Sequence, residues 1–127
     1  MTTNAGKLLK SAPIEVWSHT TLREVAELLE TNSIGAALVR GTEGSIAGVI
    51  SERDLVRALA EGADPDSERA DGYMTIAVDF AHADLPLPGV AEVMLRDGIR
   101  HLPVEDDEAK VLGVISIRDV LAALVGR

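Results

Sequence analysis

Four residue types recur at one spacing in this chain and together could hold a phosphorylated sugar. They are Gly48, Ser51, Arg53 and Asp54, and again, 65 residues later, Gly113, Ser116, Arg118 and Asp119. Each set begins in a short β-branched run, Gly48-Val49-Ile50 or Gly113-Val114-Ile115, and leads into an apolar-periodic run. Each Ser therefore stands where a buried strand hands over to a helix. The first turn of a helix carries N–H groups with no partner of their own, and two chemistries can answer them. In one, the Ser hydroxyl accepts from a backbone N–H and the Asp three residues on reaches back, which closes a cap. In the other, Gly admits a ligand to the backbone, the helix start and the hydroxyl hold a phosphate, Asp accepts from sugar hydroxyls, and Arg53 or Arg118 adds charge. A cap tolerates many residue types, so the return of all four types at identical spacing favours the second chemistry over capping alone.

The elements that must position these residues are also written twice. Aligned without gaps, residues 22–62 and 87–127 are identical at 15 of 41 positions, including Leu22/Leu87, Val25/Val90, Ile34/Ile99 and Val39/Val104. In the first copy Ile14-Glu15-Val16 alternates as a short strand, Ser18 to Thr21 supply helix-start residues, and Leu22 to Leu29 have helical periodicity. Ile34 to Val39 follow as a second strand, Gly41 to Gly44 as a turn, Ser45 to Ile50 as a third strand, and the run from Leu55 to Leu59 as a helix. The second copy predicts a strand at Ile76 to Phe80, a helix at Leu87 to Arg96 with Pro86 and Pro88 at its start, strands at Ile99 to Val104 and Lys110 to Ile115, and a last helix through Val120 to Leu124. Phe80 precedes Leu87 by seven residues where Val16 precedes Leu22 by six, which predicts a bulge or a longer turn in the second copy. The organisation expected is an N-terminal tail or loosely docked segment at 1–11, a first repeat at 12–61, a polar, acidic linker at 62–72 and a second repeat at 73–127. The fold class is α/β (α+β): two β-α-β-β-α repeats, each too small to bury a sheet face alone, related by a pseudo-twofold and packed through their sheets, with two related clefts.

Composition narrows the function. With 21 acidic and 12 basic residues the formal charge is −9, which repels a nucleic-acid backbone and argues against that partner. Cysteine is absent, so thiol catalysis and thiolate metal sites are excluded. No apolar run approaches the length of about 18 residues that spans a bilayer, and the start lacks an apolar targeting segment; the expectation is a soluble, cytoplasmic protein that does not engage a membrane. An anionic ligand would need a local cationic cluster, and Arg100-His101 supplies one. His101 reads equally as a residue packed beside a strand, while His19 and His82 show no partners. Glu105-Asp106-Asp107-Glu108 reads as a solvated turn in preference to a metal site. No nucleophile with an oriented base and no phosphate-cradling glycine loop is present, so the expectation is a non-enzyme that requires no cofactor.

The unit order, the phrase Gly48-Val49-Ile50-Ser51-Glu52-Arg53-Asp54-Leu55, the phrase Gly98-Ile99-Arg100-His101-Leu102-Pro103-Val104 and the Tyr73-Met74-Thr75 that opens a unit together resemble a tandem pair of cystathionine-β-synthase-type (CBS) domains, the Bateman module, over roughly residues 12–126. The resemblance implies a regulatory module that binds an adenosine-containing ligand (AMP, ADP or ATP, with NAD or S-adenosylmethionine as further options) between its repeats, pairs into a homodimer and signals energy state to a protein partner. Carried over by residue, it implies that Asp54 and Asp119 hold ribose and Ser51 and Ser116 phosphate. It assigns Ile14, Val16, Ile34 and Gly35 to the Asp119 cleft as adenine-facing residues, and Val78, Phe80 and Ile99 to the Asp54 cleft. Arg100 and His101 would clamp phosphate in the Asp119 cleft, where the Asp54 cleft has only Gly35 and Ala36, so the Asp119 cleft should bind more tightly. Ser18-His19 and Ala83-Asp84 stand where the family often has Pro-Asp. Two other classes remain open: a dimerising scaffold without ligand, and an enzyme that turns over the bound nucleotide.

Overall fold

The duplicated sequence folds into a duplicated order of elements. The structure, a computed structural model, describes residues 3–10, 12–76 and 79–127. A short helix α1 (Ala5–Leu8) is followed by β1 (Glu15–Trp17), α2 (Leu22–Asn32), β2 (Ala36–Arg40), β3 (Ile46–Ser51) and α3 (Glu52–Ala60), then by β4 (Ala81–His82), α4 (Leu87–Asp97), β5 (His101–Glu105), β6 (Val111–Ser116) and α5 (Ile117–Leu124). Each copy makes a three-stranded sheet in chain order, its first pair parallel and its second antiparallel. The expected α+β class and strand-helix-strand-strand-helix order are observed.

Local sequence explains the helices. Thr21 caps α2, its hydroxyl accepting from Glu24 N–H at 3.2 Å while the Glu24 carboxylate accepts from Thr21 N–H at 3.1 Å. Leu22, Val25 and Leu29, at helical spacing, are buried against Val16, Ala37, Val39 and Ile50. In the second copy Pro86 occupies the cap of α4, and Val90 and Met94 are buried with Leu102, Val104 and Ile115. On the polar side of the first sheet, Arg40 pairs with Glu15 through Nε at 2.7 Å and Nη2 at 3.0 Å, a hydrogen-bonded contact that holds the Glu15 carboxyl below its usual range.

The second copy's first strand differs from expectation. The apolar bulk of Phe80 points to a strand ending there, whereas β4 consists of Ala81 and His82. Ala81 is buried and pairs with Val104, as Val16 is buried and pairs with Val39. Ala81 precedes Leu87 by six residues, the interval between Val16 and Leu22, so the 65-residue spacing runs unbroken through the strand with neither bulge nor longer turn there. A methyl group filling a tight site leaves little hydrophobic signal, and the neighbouring Phe outweighs it. The irregularities that do occur fall at Val39/Arg40 and Val104/Glu105, the same place in both copies.

The chain divides into two compact units that do not coincide with the sequence order: Ile14–Ala77, and Met1–Pro13 together with Val78–Arg127. Each copy's leading segment docks in the unit built by the other copy. Ala5 N–H donates to Leu85 O (2.8 Å), Gly6 N–H to Ala83 O (2.8 Å), and Leu87 N–H to Thr3 O (2.9 Å). The same three bonds recur as Ala70 to Thr20 (2.8 Å), Asp71 to Ser18 (3.0 Å) and Leu22 to Glu68 (3.0 Å). Ala5 and Ala70 are both fully buried. Residues 1–11 thus contain a docked helix, and the acidic stretch after α3 is held on α2 by Arg23 N–H to Pro65 O at 2.9 Å and by an Arg23–Asp66 ion pair.

This docking accounts for the two repeated strand glycines. A Cβ on Gly48 would lie 2.5 Å from the Thr75 carbonyl oxygen, because Thr75 pairs with Val49 through N–H to O bonds of 2.9 and 2.8 Å. A Cβ on Gly113 would first meet the end of the Leu9 side chain, at 2.9 Å. Backbone cannot yield as a side-chain tip can, so Gly48→Ala should destabilise the protein by about 1–3 kcal/mol and Gly113→Ala by less. Urea unfolding of the two variants decides. Two further positions contrast the copies: the end of α2 has Ser33 at φ 52° where α4 has Gly98 at φ 64°, and the β5–β6 turn has Ala109 at φ 62° where the β2–β3 turn has Gly44 at φ 89°. Left-handed backbone costs an L-residue about 1 kcal/mol, so Ser33→Gly and Ala109→Gly should each raise stability by up to about that amount in the same assay.

Candidate functional site

Both capping boxes form. In the first copy the Asp54 carboxylate accepts from Ser51 N–H at 2.8 Å and lies 3.0 Å from the Ser51 hydroxyl, which accepts from Asp54 N–H at 3.2 Å. Ser116 and Asp119 repeat all three contacts at the same distances. The first helical N–H groups are also spoken for: Glu52 N–H donates to Gly35 O at 2.9 Å and Ile117 N–H to Arg100 O at 2.8 Å. Capping is therefore a real duty of these Ser and Asp residues, and any anion arriving here meets a helix start already half satisfied.

In the second copy the strand pairing gathers the expected cations. His101 lies opposite Ser116 across the β5–β6 ladder, and Arg100 adjoins it with its carbonyl bonded to Ile117 N–H. Arg100 and Arg118 are exposed, and among the described residues neither has an ion pair. Asp119 is half-buried; among the described residues only its Oδ2 is engaged, in the cap. Phe80, Ile99, Arg100, His101, Ser116, Arg118 and Asp119 belong to one unit, and Ile14, Val16, Ile34, Gly35, Ser51, Arg53 and Asp54 to the other. Ile34 and Gly35 adjoin the Ser51 end of their own unit through Gly35 O and the Ala36–Ser51 pair. The Val16 side chain is in the core beneath α2. Val78 lies outside the described residues.

The first copy's carboxylate has a different environment. Asp54 is 4% exposed, and its Oδ1 lies 3.3 Å from Thr75 Oγ1 and 3.3 Å from Arg57 Nη1. Arg57 also donates through Nη2 to Tyr73 O at 2.8 Å. Neither Arg57 nor Thr75 was expected from sequence. Arg57 is visible in hindsight, one helical turn after Asp54, but nothing local to Thr75 announces that it bridges to Val49.

Two further features lie in the unit of the second copy. A cavity of about 470 Å³ is lined by Phe80, Leu85, Val93 and Leu102 with Asp79, His82, Asp84 and Arg96. At its rim a hydrogen bond to Asp97 raises the Asp79 carboxyl above its usual range. His82, without a partner in the sequence reading, contacts Asp107 of the acidic turn through Nε2 and accepts from Asp84 N–H at Nδ1 (3.1 Å). His82, Asp84 and Asp107 place their ligand atoms within 4.8 Å of one another, yet Nδ1 is occupied and the two carboxylates are 84% and 88% exposed. The arrangement is a histidine bracketed by two acids.

Comparison with known proteins agrees with this geometry. A family model described as CBS domain matches twice, over residues 5–61 and 70–126. An uncharacterized 17.7 kDa protein of Acidianus ambivalens is 31% identical over 125 residues, covering 98% of this chain and 75% of that protein. The chain spans 52% of an uncharacterized Methanopyrus kandleri protein and 41% of one from Methanocaldococcus jannaschii. Among solved structures, a CBS domain protein from Pyrobaculum aerophilum complexed with AMP is 31% identical with a TM-score of 0.86, covering 98% of this chain and 100% of that one. A CBS domain pair in complex with 5′-methylthioadenosine and S-adenosyl-L-methionine is 28% identical with a TM-score of 0.87, covering 99% and 98%. Two matches to one family model, at the same spacing as the repeated hydrogen bonds and caps, identify the chain as a member of the CBS domain family, built as a tandem pair.

Proposed function

We propose that this CBS pair is a regulatory module that binds an adenosine-containing nucleotide, AMP, ADP or ATP, at the Ser116–Asp119 end of its second repeat and passes that state to a protein partner. The observation that carries the reading is the state of Asp119: one carboxylate oxygen closes the helix cap, and the other has no partner among the described residues, as a ribose-holding acid requires. Arg118 precedes it in the chain, the Arg100 carbonyl accepts from Ile117 N–H, and neither arginine has an ion pair among the described residues, so both cations remain available to answer the electrostatic objection. On a chain of net charge −9 a phosphate is repelled unless cations stand close, because charges beyond about 10 Å are largely screened at moderate salt. The Pyrobaculum relative's complex with AMP supports the ligand class.

Asp119→Ala should weaken AMP binding by about 1.5–3 kcal/mol, the worth of hydrogen bonds to a charged group. Calorimetry with AMP, ATP and adenosine tests this. Affinity for AMP and ATP should fall as salt rises and fall again in Arg100→Ala, while adenosine should respond to neither change. Absence of binding by all three at millimolar concentration would leave the ligand-free scaffold as the better reading.

A homodimer is the second part of the proposal. The last helix of each unit leaves large apolar side chains exposed: Val56 at 66% and Leu59 at 61% on α3, and Leu121 at 56% and Leu124 at 60% on α5, with Val125 at 70% just beyond its end. Apolar side chains spaced along one helix are the usual material of a subunit interface. Light scattering after gel filtration should give twice the chain mass at tens of micromolar. Leu59→Glu or Leu121→Glu should shift that mass toward the monomer.

A further inference from the structure

We propose that the first repeat's Asp54 is locked by its own chain, so that this protein offers one nucleotide site and not two. The inference rests on the adenosine reading above and deepens it. By sequence the two Ser/Asp motifs look equivalent, and both caps have the same distances. They differ in the carboxylate oxygen that the cap leaves over. At Asp54 that oxygen is held by the Thr75 hydroxyl and the Arg57 guanidinium, both at 3.3 Å, and the residue is 4% exposed. At the same 65-residue spacing the unit of the second copy has Lys10, on the N-terminal segment, in place of Thr75 and Ala122 in place of Arg57. An alanine methyl cannot pair with a carboxylate.

Thr75 is not a loose side chain that a ligand would brush aside. Its backbone exchanges two hydrogen bonds with Val49, its carbonyl presses on Gly48, and Arg57 ties down Tyr73 O on the same segment. A ribose approaching Asp54 would have to replace a charge-assisted contact and a hydroxyl contact, both already made without loss of ligand entropy, and disturb a segment bridged to Val49. At Asp119 the corresponding oxygen has no such partner among the described residues. The lock therefore consists of Arg57 and Thr75, and it closes one site through residues outside the repeated motif.

The test uses the full chain and AMP as the probe. Wild type should bind one AMP per chain by calorimetry, and Asp119→Ala should weaken that site by about 10- to 150-fold. The double variant Arg57→Ala/Thr75→Val, which keeps the β-branched shape of residue 75, should bind a second AMP, and adding Asp54→Asn should remove that second site alone. Two AMP per wild-type chain, AMP affinity left unchanged by Asp119→Ala, or a cooperatively folded double variant that still binds one AMP would overturn the lock. Amide hydrogen exchange supplies an arm that needs no ligand: the Val49 and Thr75 amides should exchange about tenfold faster in the double variant than in wild type. If no form binds AMP, the adenosine reading falls while the exchange result still judges the lock, and unchanged exchange rates overturn it.

Discussion

The structure depends on how the strand-to-helix junction after β3 and β6 satisfies its backbone. A helix that begins directly at a strand end exposes N–H groups in a place where water has poor access. Here the Ser hydroxyl takes one, a carbonyl from the neighbouring strand takes another, and the Asp carboxylate turns back onto the Ser N–H. Because that carbonyl belongs to Gly35 or Arg100, the cap fixes the helix to the adjacent strand as well as to its own. The same geometry sets an acid, a hydroxyl and, in the second copy, two arginines and a histidine at one sheet end. Folding and candidate chemistry draw on the same few atoms.

Much of this was legible in the chain. Duplication, element order, the caps and the turn glycines follow from residue types whose local physics is strong: Ser and Asp at a helix start, Gly at positive φ, apolar residues at helical spacing. The parts that were not legible depend on partners distant in sequence. Gly48 reads as an opening for a ligand, yet the backbone that approaches it is Thr75. His82 reads as solitary, yet the acidic turn folds back to it. Ala81 takes the buried strand position that Phe80 advertised. For Gly48 and His82 the partner lies on a segment distant in sequence, which a local pattern cannot show.

Symmetry of sequence has also proved a poor guide to symmetry of charge. The two motifs share Ser, Arg and Asp, but the residues that decide whether the carboxylate is available lie one helical turn later and on another segment. Duplication preserved the cap in both copies, where losing it would cost stability in either. The surrounding positions were not held to that requirement, and Arg57 and Ala122 record the divergence.

The reciprocal docking of the leading segments has a consequence for how such a chain could have arisen. A single copy alone could lay its leading segment on a second molecule, which would return its own in exchange. Two identical half-length chains would thus make, by swapping arms, the same pair of units that one chain now makes by itself. Fusion of the genes would turn that bimolecular exchange into an intramolecular one at high effective concentration. It would also free each half to drift, because a change in one arm would no longer be copied into the other.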